Sequence, residues 1–161
     1  MKIGILSDTH GAFDEKLSGF LAEVDELWHA GDIGSLELAD RIAEFKPLVA
    51  VYGNIDDHRV RTVYPKFRHF TCEGVSVLMT HIGGYPGRYD PEARKYIERV
   101  SPDIFISGHS HILKVMNDPR YGLLHINPGA AGYGYQKIRT AVRLEIDQGN
   151  IHSLEVAEFN P

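Results

Sequence analysis

Apolar residues along this chain recur in two rhythms, short runs of strand length and stretches at helical spacing. The runs Ile3–Leu6, Leu27–Trp28, Leu48–Tyr52, Val75–Met79 and Ile104–Ile106 read as strands. Between the first three, Glu15–Val24 places Leu17, Phe20, Leu21 and Val24 one helical turn apart, and Leu36–Phe45 repeats this with Leu38, Ile42 and Phe45 before Lys46-Pro47 ends it. The opening is therefore expected to run βαβαβ. Pro91 suits the first turn of a third helix reaching about Val100, which Ser101-Pro102 closes. Phe67–Thr71 and Val75–Met79 flank Cys72-Glu73-Gly74 as a hairpin, and His111–Met116, Leu123–Ile126, Thr140–Ile146 and Ile151–Val156 make the C-terminal third rich in strands. Turns are expected at Pro119–Gly122 and Gln148-Gly149. With no linker, repeat or low-complexity segment between them, early and late strands pack as two sheets with helices outside. The expectation is one domain over 1–161, α/β in class, built as a four-layer αββα sandwich of two mixed sheets.

The five early runs share a second property: each leads to a residue type that binds metal. Ile3–Leu6 leads to Asp8 and His10, Leu27–Trp28 to Asp32, Leu48–Tyr52 to Asn54, Val75–Met79 to His81, and Ile104–Ile106 to His109 and His111. Open α/β folds place their sites beyond the carboxyl ends of strands, so these loops are expected to deliver oxygen and nitrogen ligands to one edge. Asp8 and His10 alternate on one short loop, Gly31 allows a sharp turn before Asp32, and Gly53-Asn54 is half a turn signal. In Gly108-His109-Ser110-His111 the two imidazoles stand two residues apart, and on an extended segment they would face different ions or flank one.

Composition narrows the chemistry. At 161 residues the chain buries on the order of 70% of its unfolded surface without a structural metal or disulfides, so a metal here is expected to be functional. Lys and Arg total 17 against 22 Asp and Glu, a net charge of −5 with no block of like charge, which excludes a general nucleic-acid or anionic-membrane surface. The single Cys72 excludes a disulfide framework and every multi-cysteine zinc pattern. Nothing reads as a signal peptide and no stretch approaches the roughly 18 apolar residues of a membrane span, so a cytoplasmic protein is expected. There is no Gly-x-Ser-x-Gly elbow and no Walker loop, and the Gly-rich segments Gly83–Gly87 and Gly129–Gly134 lack the strand-Gly-helix context of a nucleotide fingerprint. They are expected to be mobile loops at the site rim.

Taken in order, Asp-x-His, Gly-Asp, Gly-Asn, a lone strand-end His and Gly-His-x-His resemble the calcineurin-like metallophosphoesterase family, and most closely its small single-domain phosphodiesterase branch. The resemblance runs from Asp8 to at least His111, and Asn127-Pro128-Gly129 extends it, with Ala130 where that branch commonly has Ser. It implies two divalent ions per chain, the first held by Asp8, His10 and His111, the second by Asn54, His81 and His109, with Asp32 bridging. Asp32, Asn54 and His81 would then be catalytic. Manganese is the first choice for the ions, with iron, nickel or zinc as alternatives, because oxygen and nitrogen ligands without thiolate suit these metals. The activity implied is hydrolysis of a phosphate diester by a metal-bridging hydroxide, with no protein nucleophile.

One position departs from the wider family. Many relatives carry a His after the metal-binding Asn to protonate the leaving group, and here Ile55 stands there. Asp56, Asp57 and His58 are the nearest substitutes, with His58 the most suitable by its reference pKa near 6.5. Arg59, Arg61 and Arg88 follow ligand loops and could contact the substrate phosphate, while Tyr85 and Tyr89 could stack on a base. His29 is read either as orienting a ligand or as a buried histidine satisfied by backbone. His69, His125 and His152 are assigned structural or surface roles. The expected substrate is a small or nucleotide-like phosphodiester, and a homo-oligomer is allowed by the exposed hairpins though demanded by nothing. Two alternatives stand beside this: a phosphomonoesterase or nuclease on the same centre, and a non-catalytic scaffold resembling the retromer subunit. The scaffold would be expected to lose imidazole ligands, and this chain keeps His10, His81, His109 and His111.

Overall fold

A computed structural model describes residues 1–134 and 136–160. The chain order is β1 (Lys2–Leu6), α1 (Glu15–Phe20), β2 (Glu26–His29), α2 (Leu36–Phe45), β3 (Leu48–Ala50), α3 (His58–Val63), β4 (Phe67–Cys72), β5 (Val75–Thr80), β6 (Gly84–Tyr85), β7 (Arg88–Tyr89), α4 (Pro91–Val100), β8 (Ile104–Ile106), β9 (Lys114–Asp118), β10 (Leu123–Asn127), β11 (Arg139–Asp147) and β12 (Asn150–Phe159). Two five-stranded sheets form, in the orders β12-β11-β1-β2-β3 and β4-β5-β8-β10-β9. In the first, β1, β2 and β3 are parallel while β11 and β12 are antiparallel; in the second, β5, β8 and β10 are parallel while β4 and β9 are antiparallel. Both sheets are thus mixed, as the alternating rhythms imply.

The strand pleat assigns each side chain to a layer. Ile3 and Ile5 of β1, Trp28 of β2, and Val142 and Leu144 of β11 meet Val77 and Met79 of β5, Ile104 and Ile106 of β8, and Ile126 of β10 in the interior between the sheets. On the outer side of the first sheet, Leu6 and Leu27 pack with Leu17 of α1, Ile42 of α2 and Val60 of α3. On the outer side of the second, Leu78, Phe105 and Leu123 pack with Ala93 and Ile97 of α4. The result is the αββα sandwich, with three helices on one face and one on the other. Gly4 of β1 is fixed by this packing, because a Cβ there would lie 2.6 Å from methyls of both Leu21 and Leu27.

Several elements differ from the sequence reading. The helix expected over Glu15–Val24 ends at Phe20, and Asp25 N–H already donates to Lys2 C=O at 2.7 Å to start β2. Leu21 and Val24 remain buried in a turn, so the apolar spacing is satisfied without helical backbone. α3 was not anticipated, since its six residues bury only Val60 and leave no periodicity to read. The strand expected from His111 begins at Lys114, for a reason given by the site itself. Gly83–Gly87 contributes to a short hairpin in which Tyr85 pairs with Arg88. The cap at Asp90, which accepts from Glu92 and Ala93 N–H with Pro91 in the first turn, starts α4 as expected. No helix among the described residues is long and apolar enough to cross a membrane.

Candidate metal centre

The loops after β1, β2, β3, β5 and β8 leave the carboxyl ends of parallel strands from both sheets, and they meet at one edge. Backbone hydrogen bonds brace them to each other: Asp8 N–H to Gly31 C=O at 2.9 Å, His10 N–H to Asp32 C=O at 3.1 Å, and Gly108 N–H to His81 C=O at 2.9 Å. Asp8, His10 and His111 bring one ligand atom each within 4.8 Å of one another, and Asp32, His81 and His109 do the same. The two trios touch. Asp8 Oδ1 lies 3.5 Å from His10 Nε2, 3.3 Å from His111 Nε2 and 3.7 Å from His81 Nε2. Asp32 Oδ2 lies 3.5 Å from His10 Nε2 and 3.2 Å from His81 Nε2, which sets this one oxygen between the trios.

These separations suit a shared cation better than direct pairing. Ligand atoms bonded to one transition metal at about 2.0–2.2 Å stand about 3–4 Å apart. Asp8 Oδ1 and His81 Nε2 are buried without a hydrogen-bond partner, and such atoms are costly unless something fills the space between them. Their other atoms are committed. Ser7 O–H donates to Asp8 Oδ2 at 2.6 Å and His109 N–H donates to it at 3.1 Å. His81 Nδ1 lies 2.7 Å from the Ala30 carbonyl, which can only accept, so the proton sits on Nδ1 and the Nε2 lone pair faces the site. Asp32 Oδ1 accepts from Ile55 N–H at 3.0 Å, leaving Oδ2 to serve both trios. Gln136 Nε2 donates to Gly132 C=O at 2.7 Å, so its Oε1 accepts from His111 Nδ1 at 3.1 Å and turns His111 Nε2 inward. A donor set of carboxylate oxygens and imidazoles, without sulfur, fits manganese, iron, nickel or zinc.

Backbone strain marks the same residues. Asp8, His10, Asp32, His109 and His111 all have φ between 48° and 71°, the left-handed region that non-glycine residues rarely adopt. Gly108–His111 is therefore not extended, which corrects the sequence reading and explains why β9 starts only at Lys114. Left-handed His109 and His111 let one four-residue loop aim an imidazole at each trio. Gly31 has φ +101°, and a Cβ there would lie 2.8 Å from His81 Cβ. Gly53 is needed for a different reason than a turn, because a Cβ there would collide with Asp32 Oδ1 and N.

Charge is concentrated accordingly. Burial alone would raise the Asp8 carboxyl, but His10, His81, Ser7 and His111 hold it below its usual value. Burial likewise opposes the lowering of Asp32, which His81 and the Ile55 N–H bring about. The nearby Asp8 carboxylate leads the causes that raise His10, and the two carboxylates raise His81 against its burial. Without an ion, the edge draws protons.

The residues proposed around this centre fare unequally. Asn54 is exposed on the loop after β3, where its carbonyl accepts from Arg61 Nη2 at 3.2 Å. Asp56 accepts from Ile33, Gly34 and Gly53 N–H at 2.8–3.2 Å, and Asp57 caps α3, so neither carboxylate is placed to donate a proton. His58 is exposed in the first turn of α3 and belongs to neither trio. Arg59 pairs with Glu37 at 2.6 Å on the surface, Arg61 Nε donates to Asp56 C=O at 2.8 Å, and Arg88 is exposed on β7. Tyr89 O–H donates to Asp118 at 2.6 Å, so that ring is a wall, while Tyr85 is exposed. His29 is fully buried: Gly31 N–H donates to Nδ1 at 3.0 Å, which leaves the proton on Nε2 to reach Thr9 Oγ1 at 3.0 Å. Burial pushes its pKa down to about 4. It holds the loops bearing Asp8 and Asp32 together as a neutral brace. The bracing roles of Ser7, Asp56 and Gln136 had no sequence signal, because each acts across contacts that local pattern does not encode.

In comparison with known proteins, the calcineurin-like phosphoesterase superfamily domain matches residues 1–149. A probable metallophosphoesterase of Methanothermobacter thermautotrophicus is 30% identical over 139 residues, covering 81% of this chain and 77% of that protein. Among solved structures, a novel archaeal phosphodiesterase is 25% identical with a TM-score of 0.72, covering 100% of both chains. Vps29 of Entamoeba histolytica, solved in complex with zinc, is 19% identical with a TM-score of 0.76 over 99% of each chain, which establishes likeness of fold.

Proposed function

This chain belongs to the calcineurin-like phosphoesterase superfamily, and from that premise we propose that it is a divalent-metal-dependent phosphodiesterase. Asp8, His10 and His111 would hold one ion, Asn54, His81 and His109 the other, and Asp32 both. Two such ions, when bound, lower the pKa of water and neutralise charge gathering on the phosphoryl oxygens. The observation that carries the reading is the buried, unpartnered pair Asp8 Oδ1 and His81 Nε2 between trios that meet at Asp32 Oδ2.

The protein's own groups supply orientation. Ala30 C=O and Gln136 Oε1 fix which nitrogens of His81 and His111 face the site, and hydrogen bonds of this kind also make the ligating nitrogen more basic. Asp56 ties the loop after β3 to the loop after β2 through Gly53, Ile33 and Gly34, so Asn54 and Asp32 move as one unit. A diester is favoured over a monoester by similarity to the archaeal phosphodiesterase.

The test is hydrolysis of bis(4-nitrophenyl) phosphate against 4-nitrophenyl phosphate, with manganese, iron, nickel and zinc each added to metal-stripped protein. The diester is expected to turn over faster with at least one metal, manganese first. No turnover of either ester with any bound metal would sink the reading, and a faster monoester would replace diesterase by monoesterase. Without an acid, the rate should also depend steeply on leaving-group pKa, in the wild type and in His58→Ala alike. General acid catalysis is worth about 10²–10⁴-fold, so a shallow dependence that steepens in His58→Ala would identify His58 as the acid.

A further inference from the structure

Arg139 opens β11 with a guanidinium that is fully buried, although a buried charge weakens a fold unless it is paired. It is held on two sides. Nη1 and Nη2 donate to the two carboxylate oxygens of Asp14 at 2.8 and 3.1 Å, and Nε donates to Ala131 C=O at 2.8 Å. Asp14 is also the cap of α1, accepting from Leu17 N–H. Tyr133 O–H donates to Asp14 at 3.0 Å, and the Tyr133 ring covers the guanidinium at 4.3 Å. An apolar side chain would fill this space without removing a charge from water, so the pair is better explained by what it fixes than by stability.

What it fixes is the segment that joins β10 to β11. Between Gly132 and Arg139 no described side chain is buried: Tyr133, Gly134, Lys137 and Ile138 are exposed and Gln136 is half-buried. Hydrogen bonds, not packing, therefore place this segment. At its start, Ala131 N–H donates to Ser7 C=O at 2.9 Å and Gly132 N–H to Asp8 C=O at 3.1 Å, and a Cβ at Gly132 would collide with Thr9 C=O. Further on, Gln136 Nε2 donates to Gly132 C=O and Gln136 Oε1 accepts from His111 Nδ1. Arg139 thus stands behind two ligands, Asp8 through the backbone of Ala131–Gly132 and His111 through Gln136. Both belong to the first trio. The second is braced from elsewhere, Asp32 by Ile55 N–H and His81 by Ala30 C=O.

We propose that Arg139, held by Asp14, is a positioning residue for the first ion alone. It keeps Ala131–Gly132 against Ser7–Asp8, and through Gly132 and Gln136 it keeps His111 Nε2 turned toward that ion. The two ions are then under separate structural control. This rests on the two-ion reading given above, and the measurements below are chosen to tell the two apart.

Manganese binding is followed by calorimetry on metal-stripped protein in two backgrounds that each keep one ion, His81→Ala for the first and His10→Ala for the second. Gln136→Leu is expected to weaken the ion left in His81→Ala about 10–100-fold, the usual cost of losing a partner behind a ligating histidine, and to leave the ion in His10→Ala within about twofold. Asp14→Asn, which keeps a capping oxygen for α1, and Arg139→Lys, which keeps the charge but not its fork, should weaken the same ion alone. A merely structural role would weaken both ions. Gln136→Leu acting in both backgrounds or in neither overturns the proposal, as does an Asp14→Asn that leaves the first ion unchanged.

Hydrogen exchange in metal-free protein keeps the positioning role apart from the two-ion reading. In Asp14→Asn the amides of Ala131 and Gly132 should exchange faster, while those of Ile33 and Gly53, bound by Asp56 beside the second trio, keep the wild-type rate. This pattern supports the hold on Asp8 and His111 even if the wild type binds fewer than two ions, an outcome that removes the two-ion reading. Unchanged exchange at Ala131 and Gly132 overturns the role of Arg139 even if two ions are bound.

Discussion

The interior between the two sheets and the edge where their loops meet obey opposite rules. In the interior, Ile3, Ile5, Val77, Met79, Ile104, Ile106 and Ile126 are fully buried, all apolar, and held on ordinary extended backbone. At the edge, five residues of the two trios sit in left-handed conformations, and two buried polar atoms lack partners. The first region lowers the free energy of the fold, and the second raises it. A site this strained persists only because strands on both sides fix the loop ends and because Asp56, His29 and Ser7 brace the loops from behind. Stability and activity should therefore come apart when the two regions are perturbed separately.

The largest effect is expected at the edge. Asp32→Ala should cost at least roughly 10³-fold in turnover of the diester while leaving the circular dichroism spectrum unchanged, because one carboxylate serves both trios and none of the interior. Near wild-type turnover with two bound metals would remove Asp32 from its proposed place. The converse substitution, Ile106→Ala, should cost about 2–5 kcal/mol in urea unfolding, with little loss of activity per folded molecule. A loss of turnover in fully folded Ile106→Ala would show that the interior does more than hold the edge.

Acid should act through the two neutral buried histidines. His29 and His125 have folded pKa values pushed down to about 4 by burial, so the unfolded chain takes up protons near pH 6.5 before the folded one does. Their contribution is fully present above about pH 6.5 and lost as pH falls toward about 4, at most about 3 kcal/mol each. Melting temperature should fall as pH is lowered across that window, and less steeply in His125→Phe; parallel curves would contradict the assignment. Metal binding should begin to fade at higher pH than this, since His10 and His81 have raised pKa values and protons compete for their nitrogens already above about pH 6.5.

Chelation is expected to abolish hydrolysis without unfolding the chain. Metal at 100 times its dissociation constant would stabilise the fold by about 2.7 kcal/mol through mass action, so the melting point should fall on its removal while far-ultraviolet circular dichroism persists at room temperature. Collapse of that signal would mean the interior does not suffice. The smallest effect sharpens the contrast most. His109→Gly removes a ligand but also relieves φ +71°, a conformation costing other residues about 1–2 kcal/mol. Metal-free His109→Gly should melt no lower than the metal-free wild type, although it binds metal more weakly. A clear drop would show that the loop is not strained.

By itself the sequence determined the layers and the ligand types. Strand and helix rhythms were readable because Ile3–Leu6, Leu36–Phe45 and Pro91–Val100 each carry their own periodicity and caps, which are local properties. The order of Asp8, His10, Asp32, His81, His109 and His111 after apolar runs was equally local, and these six residues form the two trios. Only the tertiary structure decided what the local pattern could not hold. α1 ended early because Asp25 was drawn to Lys2 across the sheet, and Gly108–His111 left the extended conformation so that two imidazoles could face two trios. Asp56, an acid candidate by position, became a backbone acceptor for residues 22 and 23 positions away. His125, given a structural or surface role by its strand position, became fully buried against Phe105 and Tyr89, whose rings come from other parts of the chain. Periodicity is written by neighbours in sequence; hydrogen-bond partners, strain and cavities are set by neighbours in space.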